Sequence, residues 1–320
     1  MPEQITPEFT KGVRINRHQL AKVLDPLRPD LFRYCRSLTG DLWDAEDLVQ
    51  DTLFRAFAKL ADVHWNIDNP RAWLFRVASN LWIDQMRRPR EAVMPDHFDA
   101  PDAQAAPSPE IADAIAELAH RLPPQERAAL LLKDVFDFSL AEIAAQLRTS
   151  TGAIKAALHR ARKTLAQASQ NRNQQDAAGR EPQAKLAQPL LEAWCAAFNA
   201  RDLQGLANLL LADAEAEVVG ICHEYTREQI RDGSLHHTVL GEDGDPEAKL
   251  ALFRGEPVVL LWYTVQEAGT SRRVVRDVLR FEQQDGGLRR MRYYYFCPQT
   301  LAEVTAELGL PLVDNGYRYG

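Results

Sequence analysis

Cysteine is scarce in this chain: four residues in 320, at Cys35, Cys195, Cys222 and Cys297. They lie far apart and form no C-x-x-C pair. That excludes a disulfide framework and the usual zinc spacings, and it predicts reduced thiols, a cytoplasmic protein, and no metal or other cofactor. No apolar run approaches the ~18 residues a spanning helix needs, so no membrane contact is expected. The N-terminal residues are polar and mixed in charge, with no apolar h-region, and a signal peptide is not expected. Positive charge is also short, at 38 basic against 45 acidic residues and a net charge of −7. Taken whole, the chain is no natural partner for a polyanion.

The distribution of that charge reverses the conclusion. Residues 1–90 carry 14 basic and 12 acidic side chains, residues 91–120 none and seven, residues 121–175 nine and four, and residues 176–320 15 and 22. Such alternation implies that one part of the chain meets a polyanion and another does not. The positive charge is concentrated in "RTSTGAIKAALHRARKTL", Arg148–Leu165, which holds Arg148, Lys155, Arg160, Arg162 and Lys163 and no acid.

That stretch sits in a recognisable local context. "SLAEIAAQL" opens on Ser139 with Glu142 three residues on, a capping box. The short turn "RTS" follows, with Ser150 as N-cap of the next helix. Two short helices around a tight turn, the second basic, form a helix-turn-helix, whose second helix enters the major groove with its early residues at base edges. Thr151, Gly152 and Ala153 are small enough for close approach, and Lys155 and His159 share a face. Arg160, Arg162 and Lys163 reach bases or phosphates, depending on face. Basic side chains here supply salt-dependent affinity by counterion release.

The region before it is helical as well. "LRPDLFRYCRSLTG" stops at Gly40, a candidate left-handed C-cap. "DLWDAEDLVQDTLFRAFAKL" has acids in its early turns, where the helix dipole favours them, and its Leu48, Leu53, Phe54 and Phe57 suggest a buried stripe. Its Asp44, Glu46, Asp47 and Asp51 would steer docking onto a basic partner. "DNPRAWLFRVASNLWIDQMRR" opens with Asn69 as N-cap and Pro70 at the first helical position. Arg76, Arg87 and Arg88 suit phosphates. Phe75, Asn80 and Trp82 are the aromatic and amide groups that could receive an unstacked base, and packing is an equal alternative for the two rings. Residues 91–109, with four prolines and several acids, read as an extended linker. A polar stretch at 169–185 reads as a second.

"DAEDLVQDTLFRAF" and "NPRAWLFRVASNLWIDQMRR" resemble region 2, and "LPPQERAALLLKDVFDFSLAEIAAQLRTSTGAIKAALHRARKTL" resembles region 4, of bacterial extracytoplasmic-function sigma factors. The resemblance covers roughly residues 20–168, as region 2 at 20–90 and region 4 at 110–168. It implies two all-helical domains, with RNA polymerase core (its clamp helices and flap) and promoter DNA as partners. It assigns Asp47, Gln50 and Asp51 to the clamp contact and places Asn80 near the flipped base of the −10 element. By the same resemblance Trp73 is a core position, and Lys155, His159, Arg160 and Arg162 face the −35 groove. Arg148 stands where the family usually has a turn glycine, and would adopt a left-handed conformation at some cost. Ala156 and Ala157 depart from the polar or basic side chains common in relatives.

Beyond Leu186 the period changes. Helical "PLLEAWCAAFNARDLQGLANLLLADA" precedes strand-like "EAEVVGI", "PVVLLWYTVQ", "RRVVRDVLRFEQQ" and "LRRMRYYYFC", and "QDGG" signals a hairpin. The expectation is an α+β domain over 186–320, and its element order resembles the SnoaL-like cone. His223, Asp232, His236, His237 and Asp277 are the acid–base candidates if it were an enzyme, but nothing else in the sequence forms a catalytic constellation. Cys222 and His223 with His236 and His237 lack a standard zinc spacing. The tail offers Leu310, Leu312, Val313, Tyr317 and Tyr319 either as anchors for docking on the helical domains or as the last piece of their own core. The reading is a sigma factor without enzymatic activity whose C-terminal domain regulates it. The alternatives are a ligand-sensing helix-turn-helix repressor and a SnoaL-like enzyme with a DNA-binding appendage.

Overall fold

The structure is a computed structural model that describes residues 24–60, 67–87, 121–170, 188–240, 245–267 and 269–313. The linker at 91–109, most of that at 169–185, Arg88, Tyr317 and Tyr319 lie outside the described residues. The chain divides into two compact units, 1–178 and 179–320.

In the first unit, α1 (Arg28–Thr39), α2 (Leu42–Leu60) and α3 (Pro70–Arg87) pack together. Their ends follow from the sequence. Gly40 closes α1 at φ 77°, a conformation glycine adopts freely. The Asn69 side chain accepts the Ala72 N–H at 2.9 Å and Pro70 opens α3. On α2 the buried side is Leu42, Ala45, Glu46, Leu48, Val49, Thr52 and Ala56. Phe54 is not part of it. At about 3.6 residues per turn, Phe54 falls with Asp47 and Asp51 on the opposite side, and it is 74% exposed. The expected stripe through Leu53, Phe54 and Phe57 is corrected accordingly: Leu53 and Phe57 are only half-buried.

The same unit holds α4 (Pro124–Asp134), α5 (Leu140–Gln146) and α6 (Thr151–Gln170). Ser139 Oγ accepts the Glu142 N–H at 3.2 Å while Glu142 accepts the Ser139 N–H at 2.6 Å, so the capping box forms. Arg148 occupies the turn at φ 52°. Ile154, Ala157, Leu158 and Ala161 bury one side of α6. These three helices lie against the first three through an aromatic cluster. Phe136 and Phe138, just after α4, meet Phe75 of α3 at ring distances of 4.9 and 5.6 Å, and Phe136 meets Tyr34 of α1 at 5.3 Å.

The second unit is α+β, as expected. Helices α7 (Gln188–Asn199) and α8 (Leu203–Leu209) lead into β1 (Leu210–Val218) and β2 (Cys222–Glu224). Then come α9 (Arg227–Ile230), a π-helical turn (Arg231–Leu235), α10 (His236–Leu240), β3 (Glu247–Phe253), β4 (Glu256–Glu267), β5 (Thr270–Gln284), β6 (Gly287–Tyr293) and α11 (Pro298–Glu307). One six-stranded sheet has the order β2-β1-β6-β5-β4-β3, antiparallel except for the β1–β6 pair. "QDGG" forms the hairpin: Asp285 and Gly286 have φ of 50° and 81°, as a two-residue type I′ turn requires. Helices α7 and α8 contribute Leu191, Trp194, Phe198 and Leu206 to the core, against Leu279, Phe281, Leu288 and Met291 of the sheet.

The tail joins its own domain. Val275 donates its N–H to the Pro311 carbonyl at 2.9 Å, and Leu312 bridges Val275 in parallel. Of the two alternatives for the tail this favours the second for Leu312 and Val313, whose backbone completes the sheet beside β5.

Candidate nucleic-acid interface

Three surfaces of the first unit contain the residues expected to bind polymerase and DNA. The first is the outer arc of α6. Ser150 caps the helix, its Oγ accepting the Ala153 N–H at 3.1 Å. With Ile154, Ala157, Leu158 and Ala161 turned inward, helical spacing puts Gly152, Lys155, Ala156, His159 and Lys163 outward, all exposed. Thr151 is exposed at the first turn.

Arg160 and Arg162 lie on the two flanks of that arc. Arg160 Nε donates to Glu126 Oε1 of α4 at 2.6 Å, and Arg162 forks onto Asp134 at 2.6 and 3.3 Å. Both guanidinium groups are more than half exposed. The Arg162–Asp134 pair is superficial and contributes only ~0–1 kcal/mol, so a phosphate could replace Asp134 at little cost. Glu126 is only 12% exposed, so withdrawing Arg160 would leave a largely buried carboxylate without that partner. The geometry separates the basic set into an outward group, Lys155, His159 and Lys163, and two arginines, Arg160 and Arg162, tied to acids at α4.

The second surface is α3. Phe75 is fully buried, stacked on Tyr34 at 4.7 Å and edge-on to Phe136. Trp82 is buried beneath the Arg127 guanidinium, 5.0 Å from the ring centroid. In this arrangement both rings, and Trp73 with them, are packed rather than open to a base. Arg71 lies over Phe75 and Phe138 at 5.1 and 5.3 Å. Arg127 also donates to the Leu38 carbonyl at 2.6 Å, and burial holds its guanidinium below its usual pKa. Asn80 and Arg76 are half-buried, and the buried Asn80 Nδ2 has no hydrogen-bond partner among the described residues. Arg87 is the last residue of α3.

The third surface is the outer face of α2. Asp47 and Gln50 are half-exposed and Asp51 exposed. Glu46, one residue from Asp47, points the other way. It is fully buried, paired with Arg28 at 2.5 Å, and accepts from Gln50 Nε2 at 2.7 Å. It is therefore a structural acid, which corrects its place among the steering group. Phe54 joins Asp47 and Asp51 on the exposed side, although its apolar character suggests the core. Angular position on the helix, rather than apolar character, was the signal that could have found it.

The acid–base candidates of the α+β domain do not assemble. Asp277 is buried at a bulge between β4 and β5 and accepts the Val278 and Tyr294 N–H groups at 2.7 and 2.9 Å, while burial raises its pKa well above the usual carboxylate range. Asp232 is exposed and paired with the neighbouring Arg231. His236 and His237 are exposed on α10. His223, also exposed, stacks on Tyr225 and lies 3.7 Å from Glu217. No helix among the described residues is long and apolar enough to cross a membrane.

Comparison with known proteins bears on these surfaces. The Sigma-70 region 2 family matches residues 24–91, and the Sigma-70, region 4 family matches residues 112–165. The ECF RNA polymerase sigma factor SigG of Mycobacterium tuberculosis is 32% identical over 221 residues, which are 59% of this chain and 58% of that protein. The chain thus spans a little over half the length of that relative. SigL of the same organism is 34% identical over 145 residues, 42% of this chain and 80% of the relative. The crystal structure of the M. tuberculosis extracytoplasmic function sigma factor SigJ matches 85% of this chain and 95% of its own, at 22% identity and a TM-score of 0.32. With both conserved regions in order and a relative spanned over most of its length, the chain belongs to the extracytoplasmic-function family of RNA polymerase sigma factors.

Proposed function

We propose that this protein directs RNA polymerase core to promoters in the cytoplasm, acting by binding and not by catalysis. The observation that carries the reading is the joint presence, in one compact unit, of a capped helix with an outward basic arc and a helix face bearing Asp47, Gln50, Asp51 and Phe54. A helix-turn-helix repressor has no use for the second surface. In this reading α6 reads the −35 element through Ser150, Thr151, Lys155, His159 and Lys163, with Arg160 and Arg162 on phosphates. The α3 surface, with Asn80 and Arg76, receives the −10 strand, and α2 seats on the polymerase clamp. Run-off transcription tests it. Transcripts should require both core polymerase and this protein, and a template with −35 and −10 elements. Tight sequence-specific duplex binding by the protein alone, without transcription, would establish the repressor instead.

The split on α6 yields a paired expectation. Lys155→Ala should cost ~1–3 kcal/mol on the preferred −35 sequence and relax discrimination at one base pair. Arg160→Ala should weaken matched and mismatched sequences alike and flatten the salt dependence. Binding of holoenzyme to both templates at several salt concentrations measures the difference, and identical behaviour of the two variants would refute the placement.

The acidic C-terminal domain, in the same reading, regulates the helical unit. A tethered domain acts at high effective concentration, so weak contacts suffice. Deleting residues 176–320 should raise transcript yield at matched protein concentration; yield unchanged across several salt concentrations rejects the regulatory role. Removing only residues 310–320 should instead lower the melting temperature of the α+β domain, because Pro311–Val313 pair with β5.

A further inference from the structure

The two arginines on the flanks of α6 are held to α4 in different ways. Arg160 donates to Glu126 through Nε alone, at 2.6 Å. A guanidinium carries N–H donors on Nε and on both Nη atoms, and the Nη groups of Arg160 make no hydrogen bond among the described residues. Arg162 is held along a whole edge: Nε and Nη2 both meet Asp134, at 3.3 and 2.6 Å. Both acids belong to one helix and both arginines to another, so the pairs differ in little besides this geometry.

The places of the acids differ to match. Glu126 lies in the first turn of α4, just after Pro123 and Pro124, where the helix dipole favours a carboxylate. It is only 12% exposed, and Arg160 covers it while keeping 59% of its own side chain in solvent. Asp134 is the last residue of α4, where the dipole disfavours a carboxylate, and it is 22% exposed. Glu126 is thus a firm anchor and Asp134 a looser one.

The difference bears on how each arginine meets DNA. A side chain fixed at Nε has lost its rotamer freedom before the duplex arrives, yet its Nη donors remain to be used. Ordering a long side chain at an interface otherwise weakens binding by about two- to tenfold. A side chain clamped at Nε and Nη2 must let go of its carboxylate before it can present that edge. We propose that Glu126 is a positioning residue for the −35 contact: it fixes Arg160 so that the Nη groups meet a DNA phosphate while the ion pair stays closed. Asp134, by contrast, competes with the phosphate for Arg162. The proposal rests on the assignment of α6 to the −35 element.

Charge alone predicts something else. Removing either carboxylate makes this surface more positive and strengthens DNA binding, in the same direction for both acids. A positioning role reverses the sign for Glu126, so the direction of the change decides. The test measures binding of the full chain, assembled with core polymerase, to templates with matched and mismatched −35 elements at one fixed salt concentration. Glu126→Ala should weaken binding to both templates roughly fivefold. Glu126→Gln keeps an uncharged acceptor for Nε and should lose less. Asp134→Asn should tighten binding. In the Arg160→Ala background, Glu126→Ala should cause no further loss, because the group it positions is gone. Tighter binding by Glu126→Ala overturns the proposal, as does a shift of the same sign in Glu126→Ala and Asp134→Asn. A loss that persists in the Arg160→Ala background also overturns it, since Glu126 would then act through packing. Wild-type binding by Arg160→Ala removes the −35 assignment of Arg160 itself. A loss in Arg160→Ala with none in Glu126→Ala keeps that assignment and sinks only the positioning role.

Discussion

Glu46→Ala should unfold the α1–α3 bundle, whereas Asp47→Ala, one residue along the same helix, should leave its melting temperature unchanged and weaken polymerase binding. Glu46 is fully buried against Arg28, itself only 2% exposed, at 2.5 Å. Removing one member of such a pair leaves a desolvated charge without its partner, and the cost is ~3–5 kcal/mol. That is comparable to the whole stability of a small domain, ~5–15 kcal/mol. Gln50 adds to the effect, because its amide also donates to Glu46 Oε1 at 2.7 Å and would lose its anchor. Asp47 sits half-exposed on the outer side of α2, where removing its carboxylate leaves no desolvated charge behind. Denaturant unfolding followed by circular dichroism, beside binding to core polymerase, separates the two. Glu46→Ala within 1 kcal/mol of the wild type, as an order-of-magnitude bound for a surface substitution, would mean that the ion pair is not structural.

The contrast between these two acids marks where the sequence is legible and where it is not. Local chemistry reads well: the Asn69 cap, the Ser139–Glu142 box, the Ser150 cap, the Gly40 stop and the Asp285–Gly286 turn each depend on a few adjacent residues and form as their side chains require. Composition along a helix reads less well than angular position. Four acids at the start of α2 look alike as letters, yet Glu46 faces the core and Asp51 faces water. Phe54 looks like core and is exposed for the same reason. Contacts between distant segments carry no local signal at all. Nothing near Phe75 announces Phe136, and nothing in the run "LRRMRYYYFC" shows that β6 lies parallel to β1. The outward face of α6 is readable because it is local; the fate of the α3 aromatics is not, because it is decided by helices distant in sequence.

That packing gives the second large expectation. Phe136→Ala should release α4–α6 from α1–α3 and raise hydrogen exchange across Pro70–Arg87 in the full chain. Phe136 is the hinge of the contact. It touches both Tyr34 and Phe75, at 5.3 and 4.9 Å, and Arg33 and Arg71 lie over its ring at 5.7 and 5.9 Å. Truncating a buried phenylalanine costs ~3–5 kcal/mol, and here much of that loss falls on the contact between the two helical groups. Since Phe136 also belongs to the loop after α4, a second variant guards against simple unfolding of α4–α6. Arg127→Ala removes the donor to the Leu38 carbonyl and the cation over Trp82, and should raise exchange in the same peptides by a smaller amount with helix content unchanged. The consequence for function has a definite direction. A base of the −10 strand cannot reach Phe75 or Trp82 while Phe136 and Arg127 cover them, so the rings can join Asn80 and Arg76 in receiving the strand only if these groups part. The outer face of α2, with Asp47, Asp51 and Phe54, is open in the packed arrangement, so polymerase can engage first and the strand second. Both variants should then bind core polymerase as the wild type does, yet bind a single-stranded −10 sequence more tightly in its absence. Wild-type exchange across Pro70–Arg87 in both variants would show that the aromatic cluster does not hold the two groups together. Released peptides with no gain in single-strand binding would show that covering α3 has no bearing on how the −10 strand is received.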